Sequence, residues 1–192
     1  MKKIALIIFI LLSNICYAGT ANHCSSPSLR ARGLVWCDSF ESEAFVNRND
    51  GTVTESPTFS VNDGVTLNGT SQHLSYVLTG QEFFHDPITI VIHFTPDFAV
   101  GDGIAHYFFG MTNSYIAKAN TDTINFKVGG TYLGAAAAVD VAANWVTNGR
   151  NVLVLSASSG ATTLYLNNVA IKVSATAWAP AADTSLYVGA SV

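Results

Sequence analysis

The chain has 192 residues, of which 49% are hydrophobic and 11% charged, and its formal net charge is −4. Such a length and apolar content predict one domain with a sizeable core and exclude a disordered chain. The basic residues beyond the N-terminus are scattered, which argues against the phosphate backbone of a nucleic acid as a partner.

Residues 1–18 have the pattern of a secretory signal peptide. Lys2 and Lys3 precede the apolar run from Ile4 to Leu12, and small residues stand just before a predicted cut at Gly19. The apolar run is short for a membrane anchor, and the residues before its cysteine fit a lipoprotein signal poorly. We therefore predict a secreted protein (periplasmic, extracellular or surface-associated) with no membrane span after cleavage. Cleavage leaves 7 basic against 13 acidic residues, a net charge of −6.

The predicted mature chain keeps two cysteines, Cys24 and Cys37. An even pair in an oxidising compartment favours a disulfide, with two independent thiols as the alternative. The bond would close a loop of roughly 14 residues and contribute about 3 kcal/mol in the loop-entropy model. His23 stands beside Cys24, but three candidate ligands do not complete a tetrahedral zinc site.

Short β-strands separated by turn signals follow along the chain. Residues 19–32 are predicted to be an irregular N-terminal lead, and residues 33–192 one β-domain. Strands are predicted at 33–40, 58–61, 65–67, 72–78, 87–96, 104–109, 115–119, 124–128, 152–155 and 184–188. In the strand at 87–96 the alternation predicts a core face of Ile88, Ile90, Ile92 and Phe94 and an opposite, solvent-facing side of Thr89, Val91, His93 and Thr95.

The clearest hairpin has Asn167-Asn168 at its turn, because asparagine accepts the positive φ of a two-residue type I′ turn. This turn predicts that Leu166 pairs with Val169 and Leu164 with Ile171. Those four residues would share one face, and the other would carry Tyr165, Ala170, Thr163 and Lys172.

The alanine-rich stretch 134–143 has the highest helix propensity in the chain. Its short length and two valines favour a strand followed by a loop, with a short helix as the alternative. Many short strands with little helical periodicity predict an all-β fold, a two-layer antiparallel β-sandwich or jelly roll.

Four segments in this order, TLNGTSQHLSY, PITIVIHFTPDF, TTLYLNNVAIKV and SLYVGAS, resemble the laminin-G-like jelly-roll branch of the concanavalin A-like lectin/glucanase superfamily. The resemblance covers Leu34 to Gly189. Two departures stand out: the hairpin has Asn-Asn where the family usually has Asn-Gly, and the family adds a last strand beside the first one. Here Val192 follows Gly189 by three residues, which predicts a fragment, an open sheet edge or a strand supplied in trans.

The glucanases of the superfamily that this chain resembles place closely spaced carboxylates along one strand, where period-two spacing sets acid and nucleophile on one face. The nearest cluster here, Asp38, Glu41 and Glu43, lies at a predicted strand end and loop. We therefore predict no catalytic residues. A glycan hydrolase with dispersed carboxylates is the second alternative to the leading hypothesis.

The resemblance also implies a Ca²⁺ ion at a loop rim, for which Asp97 and Asp102 are the candidate ligands; an ordinary turn is the alternative. Asn68-Gly69-Thr70 matches a glycosylation sequon whose use the sequence leaves undecided. Sugar binding requires an aromatic platform with planar polar groups. The candidates on predicted outer faces or loops are His93, Tyr165, Trp178, Trp145, Asn125 and Lys127, joined by Tyr107.

The leading hypothesis is a secreted, non-catalytic module that binds glycans or an extracellular protein. The first alternative is a structural or adhesive subunit of a surface or particle assembly, completed by a strand donated in trans. No nucleic acid is expected among the partners.

Overall fold

The computed structural model describes residues 4–11, 34–38, 51–54, 57–60, 64–68, 71–77 and 86–189. These residues form two antiparallel sheets packed as a sandwich, with one short helix, which confirms the predicted all-β two-layer fold. The strands are β1 (Ile4–Leu11), β2 (Leu34–Asp38), β3 (Gly51–Thr54), β4 (Thr58–Ser60), β5 (Gly64–Leu67), β6 (His73–Val77), β7 (Ile88–Pro96), β8 (His106–Gly110), β9 (Tyr115–Lys118), β10 (Ile124–Val128), β11 (Thr131–Ala136), β12 (Asn151–Ser158), β13 (Ala161–Leu166), β14 (Val169–Ser174) and β15 (Ser185–Val188).

Sheet 1 has the order β14-β13-β12-β7-β1-β5-β4, with β2 also paired to β1. Sheet 2 has the order β11-β10-β9-β8-β15-β6-β3. The long central strand β7 was predicted at nearly its observed bounds, whereas β1 and β3 were not predicted as strands. Within the described residues no helix is both long and apolar enough to cross a bilayer.

The core lies between the sheets and follows the predicted alternation. Ile90, Ile92 and Phe94 of β7 and Leu164 of β13 are each at most 1% exposed. They meet apolar residues of sheet 2, and the rings of Phe94 and Phe108 lie 4.7 Å apart between centroids. The period-two pattern therefore separates core from outer face as the sequence predicts.

The outer side of β7 is less exposed than predicted. His93 is 8% exposed and Val91 6%, so the prediction that His93 faces solvent is wrong. The reason is the position of His93 in the sheet, since β7 is a central strand between β12 and β1, and the Arg150 guanidinium contacts the His93 ring.

The hairpin turn forms as predicted, with φ of 51° at Asn167 and 69° at Asn168. Leu166 pairs with Val169, but a bulge next to Leu164 places Lys172 opposite it, so the predicted Leu164–Ile171 pair is wrong. The bulge gives β14 one extra residue. Leu164, Leu166 and Ile171 are buried, whereas Val169, which is paired with Leu166 beside the turn, is 46% exposed.

The alanine-rich stretch divides between two structures. Its first part belongs to β11, as the favoured interpretation predicts, but the rest forms helix α1 (Ala138–Asn144) and not a loop. Alanine's helix propensity is reinforced by Val141, which inserts fully into the core. Tertiary packing therefore selects the helix that the sequence left as the alternative.

The predicted signal peptide contains β1, which lies in the interior of sheet 1. Cleavage before Gly19 stays a prediction. Cys24, Glu41, Glu43 and the glycine and threonine of the sequon lie outside the described residues, and Cys37 is described only as part of the backbone of β2.

Candidate functional site

The outer face of sheet 2 carries four tyrosines on four strands. Each follows from simple alternation, because the neighbours of each tyrosine in its own strand point into the core. Phe108, Ile116, Leu133 and Leu186 are all buried. The outward residues beside them are Tyr107 on β8, Tyr115 on β9, Tyr132 on β11 and Tyr187 on β15.

The strand register aligns three of these tyrosines across the sheet. Lys127 of β10 lies directly between Tyr115 and Tyr132. Gly110 of β8 lies directly between Tyr115 and Tyr187. We call Tyr132, Lys127, Tyr115, Gly110 and Tyr187 the tyrosine row. It crosses five adjacent strands, which corresponds to about 19 Å at the usual strand spacing.

A second line of residues borders the tyrosine row. Ala117 of β9 pairs with Tyr107 on one side and Asn125 on the other. The rings of Tyr107 and Tyr115 meet edge to face with centroids 6.1 Å apart. His73 of β6 lies 5.9 Å from the ring of Tyr187. The face therefore combines aromatic rings with an amide, an ammonium and an imidazole.

The phenols of this face interact electrostatically. Burial raises the pKa of Tyr115, and the negative charges that Tyr132 and Tyr107 would acquire raise it further. Tyr115 therefore keeps its proton at neutral pH and can donate a hydrogen bond. Tyr132 is 51% exposed, so its ring is open to a ligand.

At one end of the row, the segment before β15 is fastened to the β8–β9 turn. Asp183 Oδ1 accepts a 2.8 Å hydrogen bond from the Asn113 backbone N–H, and Asn113 Nδ2 donates to the Ala182 carbonyl at 2.9 Å. Burial raises the pKa of Asp183, while the Asn113 N–H and the Lys127 charge oppose that rise. Asp183 Oδ2 is buried without a hydrogen-bond partner. The ammonium of Lys127 reaches the Thr112 carbonyl at 3.4 Å.

This arrangement is suited to binding. Half-exposed rings can stack on the C–H faces of a ligand, while phenol, amide and ammonium groups satisfy its hydroxyls.

The predicted sugar-binding residues do not form one site. Asn125 and Lys127 lie on the outer face of sheet 2, beside the tyrosines. Tyr165 lies on the outer face of sheet 1, where its neighbours Leu164 and Leu166 point into the core. The structure therefore divides the predicted platform between opposite sides of the sandwich.

Both predicted tryptophans support the core. Trp178 lies in the loop between β14 and β15, as the sequence allowed, but it is 5% exposed and its Nε1 is buried without a hydrogen-bond partner. Trp145 is half-buried and packs against Phe94 and Phe98, with ring centroids 5.2 and 5.6 Å away. Its Nε1 donates to the Phe98 carbonyl at 3.4 Å. Both indole rings pack against the core because each has a large apolar surface.

His93 has a polar partner within the protein. Arg150 Nη2 donates to His93 Nδ1 at 3.1 Å, which requires an unprotonated Nδ1. Burial, and then the Arg150 charge, lower the pKa of His93 from 6.5 to about 4. The imidazole is therefore neutral at physiological pH.

A buried ammonium lies against the loop that was predicted to hold calcium. Lys118 Nζ donates to Asp102 Oδ1 at 2.6 Å and to the Ile104 carbonyl at 3.0 Å, and it lies 3.3 Å from Asp122 Oδ1. His106 Nε2 lies 2.7 Å from the second Asp102 oxygen. Burial opposes ionisation, but the hydrogen bonds from Lys118 and His106 hold the pKa of Asp102 well below its usual range.

Asp97, the other predicted calcium ligand, has a buried Oδ1 without a hydrogen-bond partner. In the described part of the chain, no cluster of three or more His, Cys, Asp or Glu residues is arranged to hold a metal. The positive charge next to Asp102 comes from Lys118.

Sequence reasoning missed Tyr115, Tyr132, Tyr187 and His73. A signal was present, because each residue alternates with buried neighbours in a short strand. Their alignment depends on the strand order of sheet 2, which local patterns do not contain.

No family model, curated protein or solved structure matches this chain, so the laminin-G-like resemblance stays a prediction.

Proposed function

We propose that the protein is a secreted, non-catalytic binding module whose tyrosine row binds a glycan. The observation that carries this proposal is the register of sheet 2, which sets Tyr132, Lys127 and Tyr115 side by side on an outward face. Glycans are flat on their C–H faces and rich in hydroxyls at their edges, so they match rings interleaved with donors.

The shape of the row favours an extended glycan over a single sugar. Its three rings lie on alternate strands, with Lys127 between Tyr132 and Tyr115 and Gly110, which has no side chain, between Tyr115 and Tyr187. A row that crosses five strands offers several stacking positions in line. Lys127 is flanked on both sides by tyrosines, so its charge can reach a hydroxyl or a carboxylate of the ligand.

A protein partner is the competing occupant of the same face, because tyrosine is also enriched at protein interfaces. The two occupants differ in chemistry, since a glycan would be bound by stacking and hydroxyl hydrogen bonds in a narrow line.

The test begins with a glycan array probed with the secreted domain, followed by calorimetry on the best oligosaccharide. Tyr115→Ala and Tyr132→Ala should each weaken binding about tenfold, which corresponds to about 1.4 kcal/mol. Tyr165→Ala is the matched control, a tyrosine in a strand of the other sheet, and should bind normally.

Failure to bind any glycan, or equal binding by wild type and both row variants, would overturn the proposal. Loss of binding in Tyr165→Ala with the row variants unaffected would move the site to sheet 1. Capture of one protein ligand that both row variants lose would replace the glycan with a protein partner.

A further inference from the structure

Sheet 1 depends on β1 for its continuity. One edge of β1 pairs with β7 through eight consecutive residues, from Ile4 opposite Pro96 to Leu11 opposite Thr89. The other edge pairs with β5 through Ile4–Leu6 and with β2 through Ile8–Leu11. In the sheet order, β7 and β5 meet through β1.

The residues of β1 are also the apolar stretch of the predicted signal peptide. Cleavage before Gly19 would cut this strand from the domain that it completes. The edge of β7 on one side, and those of β5 and β2 on the other, would then face each other across a gap one strand wide. Backbone N–H and C=O groups along that gap need hydrogen-bond partners, so an empty position is unfavourable.

We propose that the position of β1 is a strand-acceptor site, which an extended apolar segment of a separate partner polypeptide fills in the mature protein. The segment runs antiparallel to β7, and its backbone bonds to strands on both sides. A separate polypeptide is the occupant because the cleavage breaks the covalent link between the fitting strand and the domain. This inference rests on that cleavage and is independent of the tyrosine row.

The register defines what the segment must contain. Positions 6, 8 and 10 of β1 pair with Phe94, Ile92 and Ile90, which are at most 1% exposed and belong to the core. A bound segment must therefore present apolar residues at three alternate positions. The intervening positions pair with Thr95, His93 and Val91 on the outer side, where the partner row is partly polar.

The experiment uses the whole chain with a protease site inserted after Ala18, so that folding takes place before the cut. After cleavage, a fluorescent peptide with the sequence of Ile4–Leu11 and flanking lysines is added, and uptake is followed by anisotropy. Two matched peptides carry asparagine at positions 6, 8 and 10 or at positions 5, 7 and 9.

The expected result is uptake of the unmodified peptide and at least about a tenfold loss of affinity for asparagine at positions 6, 8 and 10. The peptide with asparagine at positions 5, 7 and 9 should lose distinctly less affinity. A chain that does not release its own strand is unfolded and refolded with excess peptide, and the same order of affinities is expected.

Several results would overturn the inference. One is a secreted protein whose mass shows that it begins at Met1. Another is a cleaved domain that stays a stable monomer and takes up no peptide after refolding. Equal affinity for the two asparagine peptides contradicts the register. A dimer of the cleaved chain that excludes the peptide would make a second copy the occupant in place of a different partner.

Discussion

Lys118 Nζ lies 2.6 Å from Asp102 Oδ1, and the lysine side chain is fully buried. A second carboxylate, that of Asp122, lies 3.3 Å from the same ammonium. Removal of the lysine would leave two acidic groups near each other without their cation. We expect Lys118→Met to lower the free energy of unfolding by about 3 kcal/mol, measured by chemical denaturation, because breaking a buried pair strands the remaining charge.

Lys127→Met is the control for that measurement, since Lys127 lies on the outer face and contacts a carbonyl at 3.4 Å. Its effect should stay within about 0.5 kcal/mol. If calcium can bind at Asp97 and Asp102, it must displace Lys118. Calcium should then raise the melting temperature of Lys118→Met more than that of wild type, and an equal response would contradict this competition.

The pH dependence of stability should show a step due to His93. The folded pKa of His93, about 4, lies below the ordinary value of 6.5, so between these two pH values the unfolded state binds more protons than the folded state. Stability should be fully present above pH 6.5 and fall as the pH decreases from there to about 4. Denaturant midpoints measured across this pH range report the decrease in stability, and His93→Gln should make that decrease smaller.

Asp102 affects the stability of the fold in a separate, more acidic pH range. Its pKa is lowered in the folded state, so its contribution is present above the ordinary value of 3.8 and is lost as the pH falls further. Asp102→Asn should therefore lower stability at neutral pH and reduce the loss below pH 3.8. If Asp102→Asn lost as much stability below pH 3.8 as wild type does, Asp102 would not be the group responsible for that loss.

Two glycines with positive φ should respond differently to alanine. A Cβ at Gly129 would lie 1.8 Å from the Ala179 carbonyl oxygen, whereas a Cβ at Gly103 would meet nothing within 4 Å. Gly103→Ala should cost about 1 kcal/mol, from backbone strain. Gly129→Ala should cost about 3 kcal/mol or more, since the backbone of the Ala179 segment must also move. Equal thermal shifts in the two variants would contradict the packing of that segment on the β10–β11 turn.

The two asparagines of the central turn should also differ. Asn167 Nδ2 donates to the Asn144 carbonyl at 2.7 Å and to Asn151 Oδ1 at 3.0 Å, and its Oδ1 accepts from Val152 N at 2.8 Å. Asn167→Gly should therefore destabilise the fold by about 2 kcal/mol despite the positive φ.

Asn168 has a φ of 69° and is exposed. Asn168→Gly should be neutral or stabilise by a few tenths of a kcal/mol, because glycine suits the second position of a type I′ turn. Chemical denaturation of both variants in the same buffer compares their free energies of unfolding. Equal losses would mean that the Asn167 side-chain bonds contribute nothing.

The sequence by itself determined the features that depend on neighbouring residues. Alternation in the strand at 87–96 separated Ile90 and Ile92 from the outer row, and the asparagine pair predicted the turn between Leu166 and Val169. These signals are local, since side chains alternate every residue along a strand and turn stereochemistry involves four residues.

Tertiary structure decided what depends on strand order and packing. It buried His93 and Trp178, inserted a bulge beside Leu164, placed Lys118 against Asp102 and aligned Tyr115 with Tyr132 across β10. It also placed β1 inside sheet 1, where the sequence pattern predicts a leader. Each of these outcomes depends on which distant segments become neighbours, and a one-dimensional pattern of polarity is compatible with many pairings until the backbone hydrogen bonds select one.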